Sequence, residues 1–339
     1  MPAVIQSPED ASLAELCDRL RELGKQLDYS DAWPEEQLRL CGEYGVFQWF
    51  IEPEHGGQGW SPRDIVLGYL ALSAACLTTT FVITQRSGAC SRIAGSENLA
   101  MKEALLPPLA SGASFATIGI SHLTTSGRHL ARPLLRAYRQ GNGYRLDGAS
   151  PWVTGAQHAK HVVVGAVVMD DDQPTEQQIL AVVPADLAGV NVPDPVRLVA
   201  LTGSCTGRFE LADALIDDRQ VLAGPVENVM NLGGGGTTGG LQTSTLALGL
   251  ARAALDFMAE ESSRRDELLP SRDALENDFD QTQQMLMAAV DGDPDCSKEL
   301  VRTRANSLAL RATQAALVAA KGAGYVRGHP AGRWGREAL

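Results

Sequence analysis

No two of the six cysteines in this chain form a C-x-x-C pair: Cys17, Cys41, Cys76, Cys90, Cys205 and Cys296 are scattered along 339 residues. Disulfide frameworks belong to small secreted chains, so free thiols in a reducing compartment are expected. The N-terminus, MPAVIQSPEDASL, carries an early acidic pair and no apolar run of signal-peptide length. Nowhere does an apolar stretch reach the roughly 18 residues that a membrane helix needs. No membrane span and a cytoplasmic location are therefore the expectation. A basic excess is missing too. The net charge of -12 argues against nucleic acid or an anionic membrane as the main partner.

Glycine is plentiful but not in phosphate-binding patterns. The run at residues 231–240 lacks the trailing Gly-Lys-Ser/Thr, and no strand leads into it. It reads as a connector before the next helix. Gly322-Ala323-Gly324 follows a helix rather than a strand, which argues against a nicotinamide-binding Rossmann domain. No Ser-His-Asp or Cys-His order stands out. His158 and His161 fall in an expected strand, where three-residue spacing sends them to opposite faces, so no metal site is expected. His122 and His129 read as loop histidines beside a Ser/Thr-rich stretch, and Glu260-Glu261 as a solvated pair.

What is present is an ordinary globular composition, 44% hydrophobic and 21% charged, long enough for two or three domains. Residues 12–109 are helical in pattern. Leu13, Leu16, Leu20 and Leu23 recur at the spacing of one helix face. A second helix is expected over 35–44. Ser61-Pro62 is a good helix start, and the Ala- and Thr-rich segment after it belongs inside the fold. Strand signals follow at 115–120, 134–138, 144–146, 160–168, 179–183 and 207–211, spaced as in a small antiparallel barrel or sandwich. Three long helices then read as part of a bundle, over 246–263, 275–290 and 299–321. The fold class is α+β, with expected domains at 1–113 (helical), 114–224 (β) and 225–339 (helical bundle).

The most informative stretch is Gly143-Tyr144-Arg145-Leu146-Asp147-Gly148-Ala149-Ser150-Pro151-Trp152-Val153-Thr154. Asn142-Gly143 and Asp147-Gly148 read as turns that bracket the strands here, the second a tight hairpin turn. Trp152 and Thr154, two apart in an extended segment, face one side, where an aromatic surface and a hydroxyl can cover a planar ligand.

This stretch resembles the flavin-contacting hairpin of the acyl-CoA dehydrogenase family. Other segments resemble that family in the same order: Pro53-Glu54-His55-Gly56-Gly57-Gln58-Gly59, Leu106-Pro107-Pro108-Leu109-Ala110-Ser111-Gly112, residues 203–217, Gly249-Leu250-Ala251-Arg252-Ala253-Ala254-Leu255-Asp256 and Gly322-Ala323-Gly324-Tyr325. The resemblance implies FAD held between the β domain and the C-terminal bundle. It places Trp152 along the isoalloxazine and Thr154 near its reactive nitrogen. Ile120 and Ser121 would contact the pyrimidine end, and Ser126 the pyrophosphate or thioester region. Arg265 would neutralise the FAD pyrophosphate of a neighbouring subunit, with Gly322 a close-approach glycine there. The implied partners are an acyl thioester, on CoA or a carrier protein, and a flavin electron acceptor. A homodimer or homotetramer is implied as well.

The chain also departs from the family pattern. Ile120-Ser121-His122-Leu123-Thr124-Thr125-Ser126-Gly127 stands in place of Thr-Glu-Pro-x-x-Gly-Ser-Asp. The two family positions for the proton-abstracting carboxylate fall on Gly239 or Gly240 and beyond Arg336-Glu337-Ala338, so the expectation is a chain lacking the end that carries the usual glutamate. No catalytic residue is assigned. The expected activity is α,β-dehydrogenation of an acyl thioester; the alternatives are a flavin monooxygenase on the same fold or an inactive flavin- or acyl-binding homologue.

Overall fold

A computed structural model describes residues 3–29, 31–124, 132–232 and 240–339. The N-terminal third is helical: α1 (Ala11–Gly24), α2 (Glu35–Glu43), α3 (Pro62–Ala75), α4 (Leu77–Ala94) and α5 (Leu99–Ala110). The start signals work as their chemistry requires. Asp10 accepts from the Ser12 amide at 3.0 Å, Ser61 from Asp64 at 3.2 Å, and Asn98 from Met101 at 3.1 Å. Leu13, Leu16 and Leu20 are buried in a core that also holds Tyr44, Trp49 and Tyr69. The Ala- and Thr-rich α4 is buried over most of its length, as its composition foretold.

The centre of the chain is one eight-stranded sheet: β1 (Ala116–Gly119), β2 (Leu135–Gln140), β3 (Gly143–Val153), β4 (His161–Asp170), β5 (Gln173–Pro184), β6 (Val190–Asn191), β7 (Gly207–Asp217) and β8 (Val221–Glu227). The strand order is β6-β7-β3-β2-β4-β5-β8, with β1 beside β4. Most pairs are antiparallel, but β4 runs parallel to both β1 and β2, which the sequence pattern alone did not reveal. The short helix α6 (Ser121–Thr124) follows β1. Both faces of β4 and β5 are covered. Val162, Val164, Ile179, Ala181 and Val183 enter one core; Val163, Leu180 and Val182 enter another, with Leu106 and Leu109 of α5. Strands buried on both faces read as continuous apolar runs, which is why 162–168 is nearly all β-branched and alanine.

Asp147-Gly148 is not a turn. β3 runs through it, and the β2–β3 hairpin closes at Gly141-Asn142, one residue before the other expected turn, Asn142-Gly143. The register against β7 shifts between Leu146 and Gly148, a bulge. Gly148 takes φ +126°, and a Cβ there would overlap the Leu134 carbonyl oxygen. The glycine serves a bulge and a close strand approach, for which a single glycine is as well suited as for a turn.

The C-terminal helices are α7 (Gln242–Ser262), α8 (Leu269–Val290), α9 (Lys298–Ala319) and α10 (Pro330–Glu337). Leu248, Leu255, Phe279, Leu286, Val301 and Leu308 form their shared core, which also takes Val66 and Leu70 of α3. Among the described residues no helix is long and apolar enough to cross a membrane. Most of the glycine run at 231–240 lies outside the described residues.

Candidate functional site

The end of β1 and the end of β3 meet. A Cβ built on Gly119 would lie 2.9 Å from Val153 and 3.0 Å from the Ser150 hydroxyl, so only a glycine lets the two strands come this close. That contact brings Ile120 and Ser121 beside the segment 152–154. Val153 is fully buried in the sheet core, while Trp152 before it is 46% exposed, an open indole on the protein surface. Thr154 is buried. Its hydroxyl lies 2.9 Å from that of Thr206, which lies 2.8 Å from that of Ser204, so three hydroxyls form a chain that begins two residues after the open tryptophan. Ser126 lies outside the described residues.

A second group assembles in the helical C-terminal part. Arg265, just after α7, donates to the Glu261 carboxylate at 2.6 Å and to the Ala319 carbonyl at the end of α9 at 2.5 Å. Glu261 is therefore not part of a solvated acidic pair; it neutralises Arg265 within the same chain. Ala319 is three residues ahead of Gly322, so this arginine and this glycine share one corner. Nothing lies within 4 Å of a Cβ built on Gly322 in the single chain.

The histidines are not where their spacing put them. His158 ends a 3-10 turn and stacks on Trp33 at 4.3 Å, while His161 opens β4. Burial pushes both below the ordinary histidine value. His122 is buried, not a surface histidine. Its Nε2 donates to the Gly165 carbonyl at 2.7 Å, and desolvation pushes its pKa below the ordinary value. Sequence reasoning missed it because helix α6 turns the ring under β4, a tertiary placement.

The feature that sequence reasoning left unassigned is a cavity of about 460 Å³ lined by Thr78 of α4, the loop 199–203, residues 324–327, and Arg333, Arg336 and Glu337 of α10. The Glu337 side chain is only 3% exposed. It accepts from the Thr78 hydroxyl at 3.3 Å and lies 3.8 Å from Arg333, which also donates to the Gly24 carbonyl. The lining loop runs directly into Ser204 and Thr206, and so into the hydroxyl chain at Thr154. The arrangement offers a buried carboxylate beside a guanidinium, one loop away from an open aromatic surface. The only signal in the sequence was the carboxylate of Arg336-Glu337-Ala338 next to the family position for the base.

Comparison with known proteins falls on this same architecture. Residues 12–113 match the family model "Acyl-CoA dehydrogenase, N-terminal domain". The chain is 24% identical over 332 residues to "Probable acyl-CoA dehydrogenase YngJ" of Bacillus subtilis, covering 93% of this chain and 87% of that protein. Other curated relatives are matched over 56–64% of their own length. Among solved structures, glutaryl-coenzyme A dehydrogenase in its glutaryl-CoA complex superposes with a TM-score of 0.83 at 18% identity, covering 97% of this chain and 90% of that one. TdsC from Paenibacillus sp. A11-2, with FMN and indole, gives 0.73 at 16%, covering 96% and 90%. The fold is that of the acyl-CoA dehydrogenases: helices, a sheet domain, helices. Residues 12–113 are similar to the N-terminal domain of the acyl-CoA dehydrogenases, the whole chain shares the fold of that family, and FAD is the cofactor that goes with the family.

The donor set fits such a group at the sheet and less simply at the helices. An exposed indole backed by hydroxyls suits a flat, hydrogen-bonding ring system. Arg265 has its charge balanced already, so holding a pyrophosphate requires it to share or exchange Glu261.

Proposed function

We propose that this chain is an FAD-dependent oxidoreductase that removes the α and β hydrogens of an acyl thioester. The observation that carries this reading is the close approach of Gly119, at the end of β1, to Val153, which lies between the exposed Trp152 and the buried Thr154, in a chain of this fold. Ile120, Ser121, Trp152 and Thr154 hold the flavin ring, and Arg265 and Gly322 meet the pyrophosphate end, across a homodimer or homotetramer contact. Bound FAD supplies a hydride acceptor. Trp152 covers the ring and excludes water on its side. Thr154 orients it through a hydroxyl whose lone pairs and proton are already ordered by Thr206. Proton removal needs a carboxylate in reach of the substrate, and Glu337 is the buried carboxylate closest in sequence to the family position. The thioester, on CoA or on a carrier protein, enters beside the cavity that Glu337 lines, and a flavin acceptor reoxidises the protein.

An absorbance spectrum of purified protein should show oxidised flavin, and acyl-CoA thioesters should bleach it anaerobically. A colourless protein that FAD does not reconstitute would sink the proposal. The second reading, a monooxygenase, is favoured by the glycines at the alternative base position and by the TdsC likeness in fold. It calls for oxygen consumption with an external reductase and no bleaching by thioesters. Flavin binding with neither response would leave the inactive homologue.

A further inference from the structure

Arg86 is buried in the middle of α4, 3% exposed, and no carboxylate pairs with it among the described residues. Its guanidinium donates to the Ser114 carbonyl at 2.8 Å and to the Leu109 carbonyl, and lies 4.0 Å over the Phe47 ring. Its Nε has no partner at all. A guanidinium carries more N–H donors than two carbonyls can use, and carbonyls do not neutralise a charge. Burying a cation without a counter-charge is strongly penalised, and so is leaving a buried donor unmet. Both deficits sit at one side chain.

That side chain lines a cleft of about 490 Å³, within the roughly 300–1,000 Å³ range of small-molecule sites. Trp33, Phe47 and Phe115 form its apolar walls, with Phe115 edge-on to Trp33 at 5.2 Å and His158 stacked on Trp33 at 4.3 Å. Lys160 stands at the rim, exposed. Arg39 at the rim is spoken for, since it pairs with Glu36 and Glu43. Glu35 and Glu43 add rim carboxylates that disfavour a ligand of high negative charge. The cleft is distinct from the cavity at Glu337, although Trp33 also packs against Gly155, the residue after Thr154.

We infer that this cleft binds a small planar organic monocarboxylate, its carboxylate on Arg86 and its ring between Trp33, Phe47 and Phe115. One negative charge answers the one uncompensated cation, and a planar body suits aromatic walls. Lys160 adds attraction at the entrance without entering the buried contact. A dianion such as inorganic phosphate meets the rim carboxylates and binds less well.

The probe is benzoate, titrated calorimetrically into the flavin-loaded full chain, with benzamide as the neutral isostere. Saturable benzoate binding, weaker by about tenfold for benzamide, is expected. Arg86→Gln should weaken benzoate by about tenfold or more, and Lys160→Glu by about threefold. Because Arg86 also ties the end of α5 to the start of β1, a misfolded Arg86→Gln chain leaves the test to Lys160→Glu and Trp33→Leu, both read at constant melting temperature. Absence of saturation up to roughly 10 mM benzoate overturns the inference. So does equal affinity for benzamide, or unchanged affinity in folded Arg86→Gln or in Lys160→Glu.

Discussion

The two halves of the proposed flavin site are prepared to different degrees. At the sheet, Trp152 stands open and the Thr154 hydroxyl, two residues on, is already held by Thr206. At the helical corner, Arg265 is already satisfied by Glu261 and by the end of α9. The sheet half is pre-organised within one chain, and pre-organisation lowers the cost of binding. The arginine half competes with an internal ion pair. In the proposed oligomer, what faces that corner from a neighbouring copy decides whether Arg265 turns outward.

The largest test breaks the sheet half at its support. Gly148→Val puts a β-branched residue at φ +126° against the Leu134 carbonyl, where the register of β3 shifts. A strained backbone combined with overpacking costs on the order of 3 kcal/mol or more. Thermal melts should show a large loss, and flavin content should fall with it. A wild-type melting temperature would mean that the bulge is not needed to set the register.

Next comes the corner. Arg265→Ala removes the charge and leaves the half-buried Glu261 carboxylate without its partner, so it should cost about 1–2 kcal/mol and weaken FAD retention together. Pairing it with Glu261→Gln should restore the melting temperature but not the flavin. If the double variant regains full flavin content after gel filtration, Arg265 is a structural ion-pair partner and no more. Trp152→Ala makes the opposite separation. An exposed side chain costs little stability, within about 0.5–1 kcal/mol, whereas the loss of the covering ring should lower flavin affinity by about tenfold. Equal flavin content in Trp152→Ala and wild type refutes the role given to the tryptophan.

How much of this was legible in the sequence follows from how local each signal is. The cap at Ser61, the leucine stripe of α1 and the apolar run of β4 are set by neighbours within a few residues, and they were read correctly. Gly148 shows the limit: glycine announces an unusual φ, but a turn and a bulge need the same freedom, and only the partner strand decides. The parallel pairing of β4 with β1 and β2, the buried seat of His122 and the neutralisation of Arg265 by Glu261 all depend on contacts between distant segments. Arg86 is the sharpest case: nothing local marks it as a cation without a counter-charge, and only Phe47, Leu109 and Ser114, from distant segments, surround it.

The smallest effect is a pH dependence that belongs to the sheet side of the comparison. His122, His158 and His161 all sit on or beside the sheet, and in each the leading cause, desolvation, pushes the folded pKa below the ordinary value of 6.5. The unfolded chain therefore binds more protons than the folded one as pH falls below about 6.5. The stability these neutral rings contribute is fully present above that value and is lost as pH drops towards their folded pKa values. His122 should dominate, because it is the buried one and its ring donates to Gly165 from Nε2. Melting temperatures measured from pH 7.5 down to about 5 should fall, and His122→Asn should flatten part of that slope while lowering the plateau. A slope identical in wild type and His122→Asn would assign the acid sensitivity elsewhere. Retention of FAD across the same range would then show whether the sheet half of the site loosens before the helical corner does.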